Sequence, residues 1–250
     1  LAAKGLPPRT IGHAHRLLSL VLKRGVRFKK LAENVASLCN PPKVESELEI
    51  LTAEHVSAAL AALKGHNLYP IVALALSTGA RRGELLALRW SDFDAARGVL
   101  RVERSLEETR AGGLRTKPPK TKRGVRSIGL SSDAVAMLEA HRKSGIETRL
   151  AIGQGGRPTL IFGSLEDALQ SPNNLTRAWH RALKVAGLPK VSFHSLRHYH
   201  ASALLRAGVD VLTVSRRLGH SNAAITLNTY GHAIEGADAA AALAIEGMLK

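Results

Sequence analysis

Residues 194–230 read HSLRHYHASALLRAGVDVLTVSRRLGHSNAAITLNTY, and this stretch decides the fold. It divides into three short helices. The first runs from His194 to Ala207, places Leu196, Tyr199, His200, Ala203 and Leu204 on the face to be buried, and stops at Gly208. Asp210 caps the second, Val211 to Leu218, and Gly219 ends it. The third spans Ala223 to Tyr230.

Working outward from there, Asn174–Ala186 is an amphipathic helix with Leu175, Ala178, Trp179, Ala182 and Leu183 on one face. Ser132–Lys143 is another helix, and Thr159–Phe162 reads as a short strand. Strand-like Gly98–Ser105 and Val125–Leu130 flank a stretch rich in glycine and lysine, which predicts a small antiparallel sheet with a basic loop. Further upstream, Thr52 can cap a helix carrying Val56, Ala59, Leu60 and Leu63 on one face, with Gly65 past its end. Pro70 suits the first turn of the next helix, whose body Ile71–Ser77 is apolar all round and therefore buried. Thr78-Gly79-Ala80-Arg81-Arg82-Gly83-Glu84 then turns into a short helix ending near Trp90. The expected fold class is mainly α with a small antiparallel β-sheet, α+β.

The N-terminal part differs. Leu1 to Ala32 holds eight Lys and Arg and no Asp or Glu, yet Thr10–Arg24 still reads as an amphipathic helix. A second short helix lies near Leu31–Leu38. Two helices make a poor core, so residues 1–42 are expected to be the remnant of a truncated helical domain, 43–50 a linker, and 51–250 the main domain. The chain does not open with Met, which fits a missing N-terminal segment.

Over 250 residues the chain carries 36 Lys and Arg against 20 Asp and Glu, a formal charge of +16 that favours a polyanionic partner. DNA, RNA and an anionic membrane surface all satisfy charge alone. No apolar run approaches the roughly 18–20 residues of a membrane span. The single cysteine, Cys39, excludes a disulfide framework and a thiolate metal cluster, and a reducing, cytoplasmic setting is the default.

Metal-free cleavage of a phosphodiester needs a nucleophile in line with the leaving oxygen. It needs cationic donors on the non-bridging oxygens and a proton for the departing 5′ oxygen. Guanidinium groups suit the oxygens because they stay charged and bind two at once. Arg81 follows a buried helix and a Thr-Gly turn, although alone it reads as an ordinary surface arginine. Glu84 can hold Arg81 or a later arginine, or simply favour the helix dipole. His194 and Arg197 stand at i, i+3 on one side of a helix. His194, His198 and His200 also admit a metal site, disfavoured because no Glu lies between the first two and no thiolate is near. His198 and His200 read better as surface or packed histidines. His220 follows a helix C-terminus, where it can be a cap, and Tyr230 alone reads as packing.

Order and spacing change this reading. The boxes Thr78–Leu85, His194-Ser195-Leu196-Arg197-His198, Leu218-Gly219-His220-Ser221 and Thr229-Tyr230 together resemble the tyrosine recombinase, or phage integrase, family. Pro118-Pro119-Lys120-Thr121-Lys122-Arg123-Gly124-Val125-Arg126 is similar to that family's lysine-bearing hairpin, and Pro8–Pro42 to the end of its helical core-binding domain. The resemblance implies the family's catalytic-domain fold over 51–250 and catalytic residues Arg81, Lys120, His194, Arg197, His220 and Tyr230. Lys117 and Lys122 share the loop, and Lys120 is chosen on the Pro-Lys-Thr pattern. It further implies a site-specific recombinase of the integration and excision type that needs no cofactor or metal. Its expected partner is double-stranded DNA, on which it would form a homotetramer. A type IB topoisomerase-like enzyme, a non-catalytic DNA-binding module and a metal-dependent nuclease are the rivals. Phage-type spacing, an intact residue set and the missing carboxylate–histidine cluster argue against them in turn.

Overall fold

The structure is a computed structural model that describes residues 5–42, 51–109, 111–119, 124–234 and 245. It divides into two compact units, Leu1–Leu48 and Glu49–Lys250.

In the first unit, α1 (Pro8–Arg27) starts on a proline that needs no amide partner, and it buries none of its residues. Leu17, Leu18, Leu20 and Val21 are each more than half exposed. A 3-10 turn over Val35–Leu38 is tied back to it: His15 Nε2 donates to the Ala36 carbonyl at 2.8 Å, and Asn34 Nδ2 to Ser19 Oγ at 2.9 Å. Polar links rather than a shared core join these two pieces.

The second unit begins with α2 (Ala53–Ala62), where Thr52 Oγ1 accepts from the His55 amide at 3.3 Å. Next comes α3 (Tyr69–Thr78), whose Ile71, Val72, Leu74 and Ala75 are all at most 4% exposed, as an apolar-all-round helix must be. A single turn, α4 (Arg82–Leu85), and a 3-10 turn at Trp90–Asp92 lead into the strands.

The strands differ from the single expected sheet. β1 (Phe93–Asp94), β2 (Val99–Val102) and β5 (Arg126–Gly129) form one antiparallel sheet in the order β1-β2-β5, with Leu100 opposite Ile128. β3 (Ser105–Thr109) and β4 (Gly113–Lys117) form a separate hairpin, pairing Ser105 with Lys117 and Thr109 with Gly113. The run Gly98–Ser105 is therefore two strands, broken where Arg104 leaves the first sheet to fork Asp92 at 2.9 and 2.8 Å. Near Thr159–Phe162 there is one isolated bridge, Arg89 to Leu160, rather than a strand.

α5 (Ser132–Ala151) runs two turns beyond its expected end, and α6 (Pro172–Val185) buries Leu175, Trp179 and Leu183. Trp179 satisfies its indole N–H on the Val191 carbonyl at 3.1 Å, so this fully buried side chain carries no unpaired donor. The C-terminal helices are α7 (Ser195–Arg206), α8 (Val211–Leu218) and α9 (Ala223–Tyr230). Asp210 caps α8 through the Thr213 amide at 2.9 Å. α3 packs along α7, α8 along α9, and β5 touches α8, so the ends of all these elements meet. On α7, Leu196 and His200 are buried as expected, but Tyr199, Ala203 and Leu204 are only half-buried, because Arg197 and Ser202 take the deeper positions.

Candidate active site

Two glycines shape the site. Gly79 ends α3 at φ +63° and Gly219 ends α8 at φ +68°, both left-handed conformations that favour glycine. Neither has room for a side chain. A Cβ on Gly79 would lie 2.6 Å from His200 Cδ2, and one on Gly219 2.9 Å from Arg126 Nη1. The tight turns deliver Arg81 from one side and His220 from the other.

Arg197 joins them. It is 2% exposed, and its Nη1 and Nη2 donate to the carbonyls of Gly79 at 2.7 Å and Leu218 at 2.9 Å. One guanidinium thus ties the turn before Arg81 to the turn before His220, and the same side chain hydrogen-bonds Tyr230. Burial, then the neighbouring Arg81, pushes Arg197 down to about 10, so it remains a cation at neutral pH.

Arg81 is held from below by Glu84. Its backbone N–H donates to Glu84 Oε2 at 2.8 Å and its Nη1 to Oε1 at 2.9 Å, while 41% of the side chain stays exposed. Glu84 is itself 3% exposed and serves a second arginine: Arg126 forks it from β5 at 3.2 and 2.9 Å. Burial alone would push the Glu84 carboxyl up, but the Arg126 hydrogen bond and charge, with Arg81, hold it below the usual range. Arg126 also donates through Nε to the Arg217 carbonyl at 2.6 Å. Both uses of Glu84 that the sequence left open, holding Arg81 and holding a later arginine, are present together.

The histidines are crowded by cations. His194 precedes α7 and is exposed, yet enough protein surrounds it that desolvation, then His198, Arg197 and Arg81, lower it to about 4. His220 is 8% exposed and likewise lowered to about 4, by burial first and then Arg197, Arg81 and Arg126. Its Nδ1 stands 2.8 Å from Thr226 Oγ1.

Tyr230 closes the site from the end of α9. Its ring lies 5.5 Å from that of His198 and 6.5 Å from that of His220, to which it is nearly parallel at 7°. His198 in turn meets His194 edge-on at 4.8 Å, so the four rings form a file from His194 to His220. Burial raises the Tyr230 phenol, while the charge and hydrogen bond of Arg197, then Arg81, pull it back. The residue is 2% exposed in the free chain.

Of the expected set, Arg81, His194, Arg197, His220 and Tyr230 are gathered in one place. Lys120 and Lys122 lie outside the described residues. Lys117, at the end of β4, is paired with Glu107 across the hairpin. His200 is a packed residue: Nδ1 donates to the Leu76 carbonyl at 2.6 Å and Nε2 accepts from Arg217 Nε at 3.2 Å, leaving it neutral and, chiefly through burial, lowered to about 4. Sequence reasoning missed Arg126, Arg217 and Thr226. Arg126 stood within the quoted hairpin, and the one available signal was a charged residue at an inward position of a strand. His198 was read as a surface or packed residue; it stands between His194 and Tyr230.

The Phage integrase family profile matches residues 49–236. The "Tyrosine recombinase XerC-like" protein of Caldanaerobacter subterraneus subsp. tengcongensis is 36% identical over 208 residues, 77% of this chain and 52% of that protein. The chain therefore spans about half the length of that curated relative. The structure of the Tn1549 transposon integrase in complex with transposon right end DNA superposes with a TM-score of 0.77 at 24% identity, covering 92% of this chain and 76% of that one. A lambda integrase tetramer bound to a Holliday junction gives 0.56 at 23%, covering 86% and 57%. At these identities the structural likeness is one of fold. The profile match, the curated relative and the shared fold agree: this chain belongs to the phage integrase family, the tyrosine recombinases, and carries that family's catalytic domain.

Proposed function

We propose that the protein is a site-specific DNA recombinase of the integration and excision type, which cleaves and rejoins strands through a 3′-phosphotyrosyl link at Tyr230. One observation carries the reading: Arg197, fixed on the Gly79 and Leu218 carbonyls, draws Arg81, His220 and Tyr230, from three separate elements, around one point. Two arginines and a histidine around a phenol form a cradle for one phosphodiester.

In the proposed reaction the Tyr230 oxygen attacks phosphorus, and the bond from phosphorus to the 5′ oxygen breaks. Arg81 and Arg197 hold the non-bridging oxygens, and His220 adds a hydrogen bond. His194 takes the tyrosine proton, and Lys120 gives one to the 5′ oxygen. The phosphotyrosyl bond conserves the energy of the bond broken, so a 5′ hydroxyl of a second strand can reverse the step without ATP or metal. A phosphate also changes the local electrostatics: its negative charge relieves the cationic crowding that, after burial, lowers His194, so that His194 can take the phenol proton. The buried, protonated phenol is then a resting form, and DNA supplies the charge that activates the site.

The assembly belongs to the same proposal. Residues 1–42 are assigned to the end of a helical core-binding domain, 43–50 to a linker and 51–250 to the catalytic domain, with double-stranded DNA as the partner. The exposed apolar face of α1 fits a partial domain of this kind. Strand exchange would take place in a homotetramer, as in the junction-bound form of lambda integrase.

The test uses nicked duplexes tiling the DNA that flanks the gene, with EDTA present throughout. The expected product is a protein covalently joined to a 3′ DNA end, with a free 5′ hydroxyl. Strand breaks that appear only with added divalent metal, and no covalent complex, would overturn the proposal in favour of a nuclease.

A further inference from the structure

The contact between His220 and Thr226 decides which ring nitrogen of His220 carries the proton. Thr226 is fully buried at 0% exposure, and its Oγ1 lies 2.8 Å from His220 Nδ1. A hydroxyl sealed from water must give its proton to some acceptor. Other helical threonines give theirs to the carbonyl four residues back: Thr229 donates to Ile225 at 2.7 Å, and Thr78 to Leu74 at 2.6 Å. Thr226 does not, and among the described residues its side chain has the His220 nitrogen as its partner. The opposite polarity, Nδ1–H donating to the hydroxyl oxygen, would leave a buried hydroxyl proton with no acceptor.

We infer that Thr226 is a positioning residue: its hydroxyl donates to His220 Nδ1, locks the neutral ring as the Nε2–H tautomer, and so makes His220 a hydrogen-bond donor toward the phosphate. This rests on the proposed function and adds the division of labour between the two histidines. With Nδ1 occupied and Nε2 protonated, His220 cannot accept the tyrosine proton. His194 can, since no hydrogen bond occupies its ring among the described residues, and its contact there is the edge-on packing of His198. Thr226 also lies four residues before Tyr230, one helical turn along α9, and both are buried. The bond that sets the tautomer therefore also registers the nucleophile's helix against the His220 turn.

The inference is tested first without DNA. Histidine labelled with nitrogen-15 in the free protein, with His220 assigned by His220→Gln, reports the proton position directly at neutral pH. Wild type and Thr226→Ser should show protonated Nε2, and Thr226→Val should lose that preference. On a cleaved duplex, Thr226→Val should slow single-turnover cleavage by about 10- to 100-fold, short of the roughly 10²–10³ lost when an oxyanion donor is deleted outright. DNA affinity should stay within a few-fold and Thr226→Ser should restore the rate. A wild-type ring protonated on Nδ1 overturns the inference, as does a Val variant that keeps both tautomer and rate. If no duplex is ever cleaved, the functional proposal fails, while the spectrum still decides the tautomer.

Discussion

Tyr230 and Arg197 meet the same burial with opposite consequences: it raises the phenol and lowers the guanidinium, and each one's charged form favours the other's. This makes shape as important as charge. Arg81→Lys keeps a cation but loses the fork that serves Glu84 and a phosphate together, so cleavage should fall by roughly 10²-fold with little change in binding. Single-turnover cleavage measures it, and a near-wild-type rate would make Arg81 an ordinary surface charge. The lysine is settled by replacing the bridging 5′ oxygen with sulfur, which leaves without protonation. Lys120→Ala should cleave ordinary DNA very slowly and the sulfur substrate at close to the normal rate. Rescue in Lys122→Ala instead would move the general acid by two residues, whereas Lys117 already has Glu107 as its partner. At this scale the five side chains that gather in the structure stood out by order and spacing, since each alone reads as packing or surface. Arg126 and Thr226 were not legible, because their importance comes from partners 42 and 6 residues away that no local pattern reveals.

Among elements, the link that matters is Glu84 of α4 to Arg126 of β5, two charges at 3% and 9% exposure. Removing Arg126 leaves the buried Glu84 with Arg81 as its cation, and removing Glu84 leaves the buried Arg126 with backbone carbonyls and no carboxylate among the described residues. Arg126→Met should destabilise by about 3–5 kcal/mol in urea unfolding, and Glu84→Leu in the same chain should recover much of that loss. Simply additive losses would show that the pair contributes nothing as a pair. The double variant should remain slow in cleavage, because Arg81 then lacks its carboxylate support. The helices were legible from period and caps: Thr52, Asp210, Gly79 and Gly219 all stand at helix ends. The β3–β4 hairpin was not. Among its described residues it buries only Leu106, so the period-two signal that marks a half-buried strand is absent, and its Glu107 pairs with Arg115 and Lys117 as charged loop residues would.

For the whole molecule, burial of histidines beside a convergence of arginines is destabilising in acid. Buried His200 has its pKa lowered from 6.5 to about 4 on folding, and His194 and His220 shift the same way. The unfolded chain then binds more protons between those values, so stability is full above pH 6.5 and is lost as the pH falls toward 4. His200 alone contributes a slope of up to about 1.4 kcal/mol per pH unit in that window. The urea midpoint of the free protein should therefore fall between pH 7 and pH 5, and bound DNA should blunt the fall by supplying counter-charge. A midpoint flat across that range would contradict the buried neutral histidines. The mixed α and β composition follows from sequence periodicity, but the convergence of α3, α7, α8 and β5 on Arg197 is long-range packing that emerges only on folding. The central claim, that this convergence makes Tyr230 a nucleophile, is tested most directly by peptide mapping of the covalent complex trapped on a nicked duplex. The account predicts a nucleotide remnant on the peptide bearing Tyr230 and no complex from Tyr230→Phe, with DNA binding retained. An adduct on any other residue, or one that survives Tyr230→Phe, would contradict it.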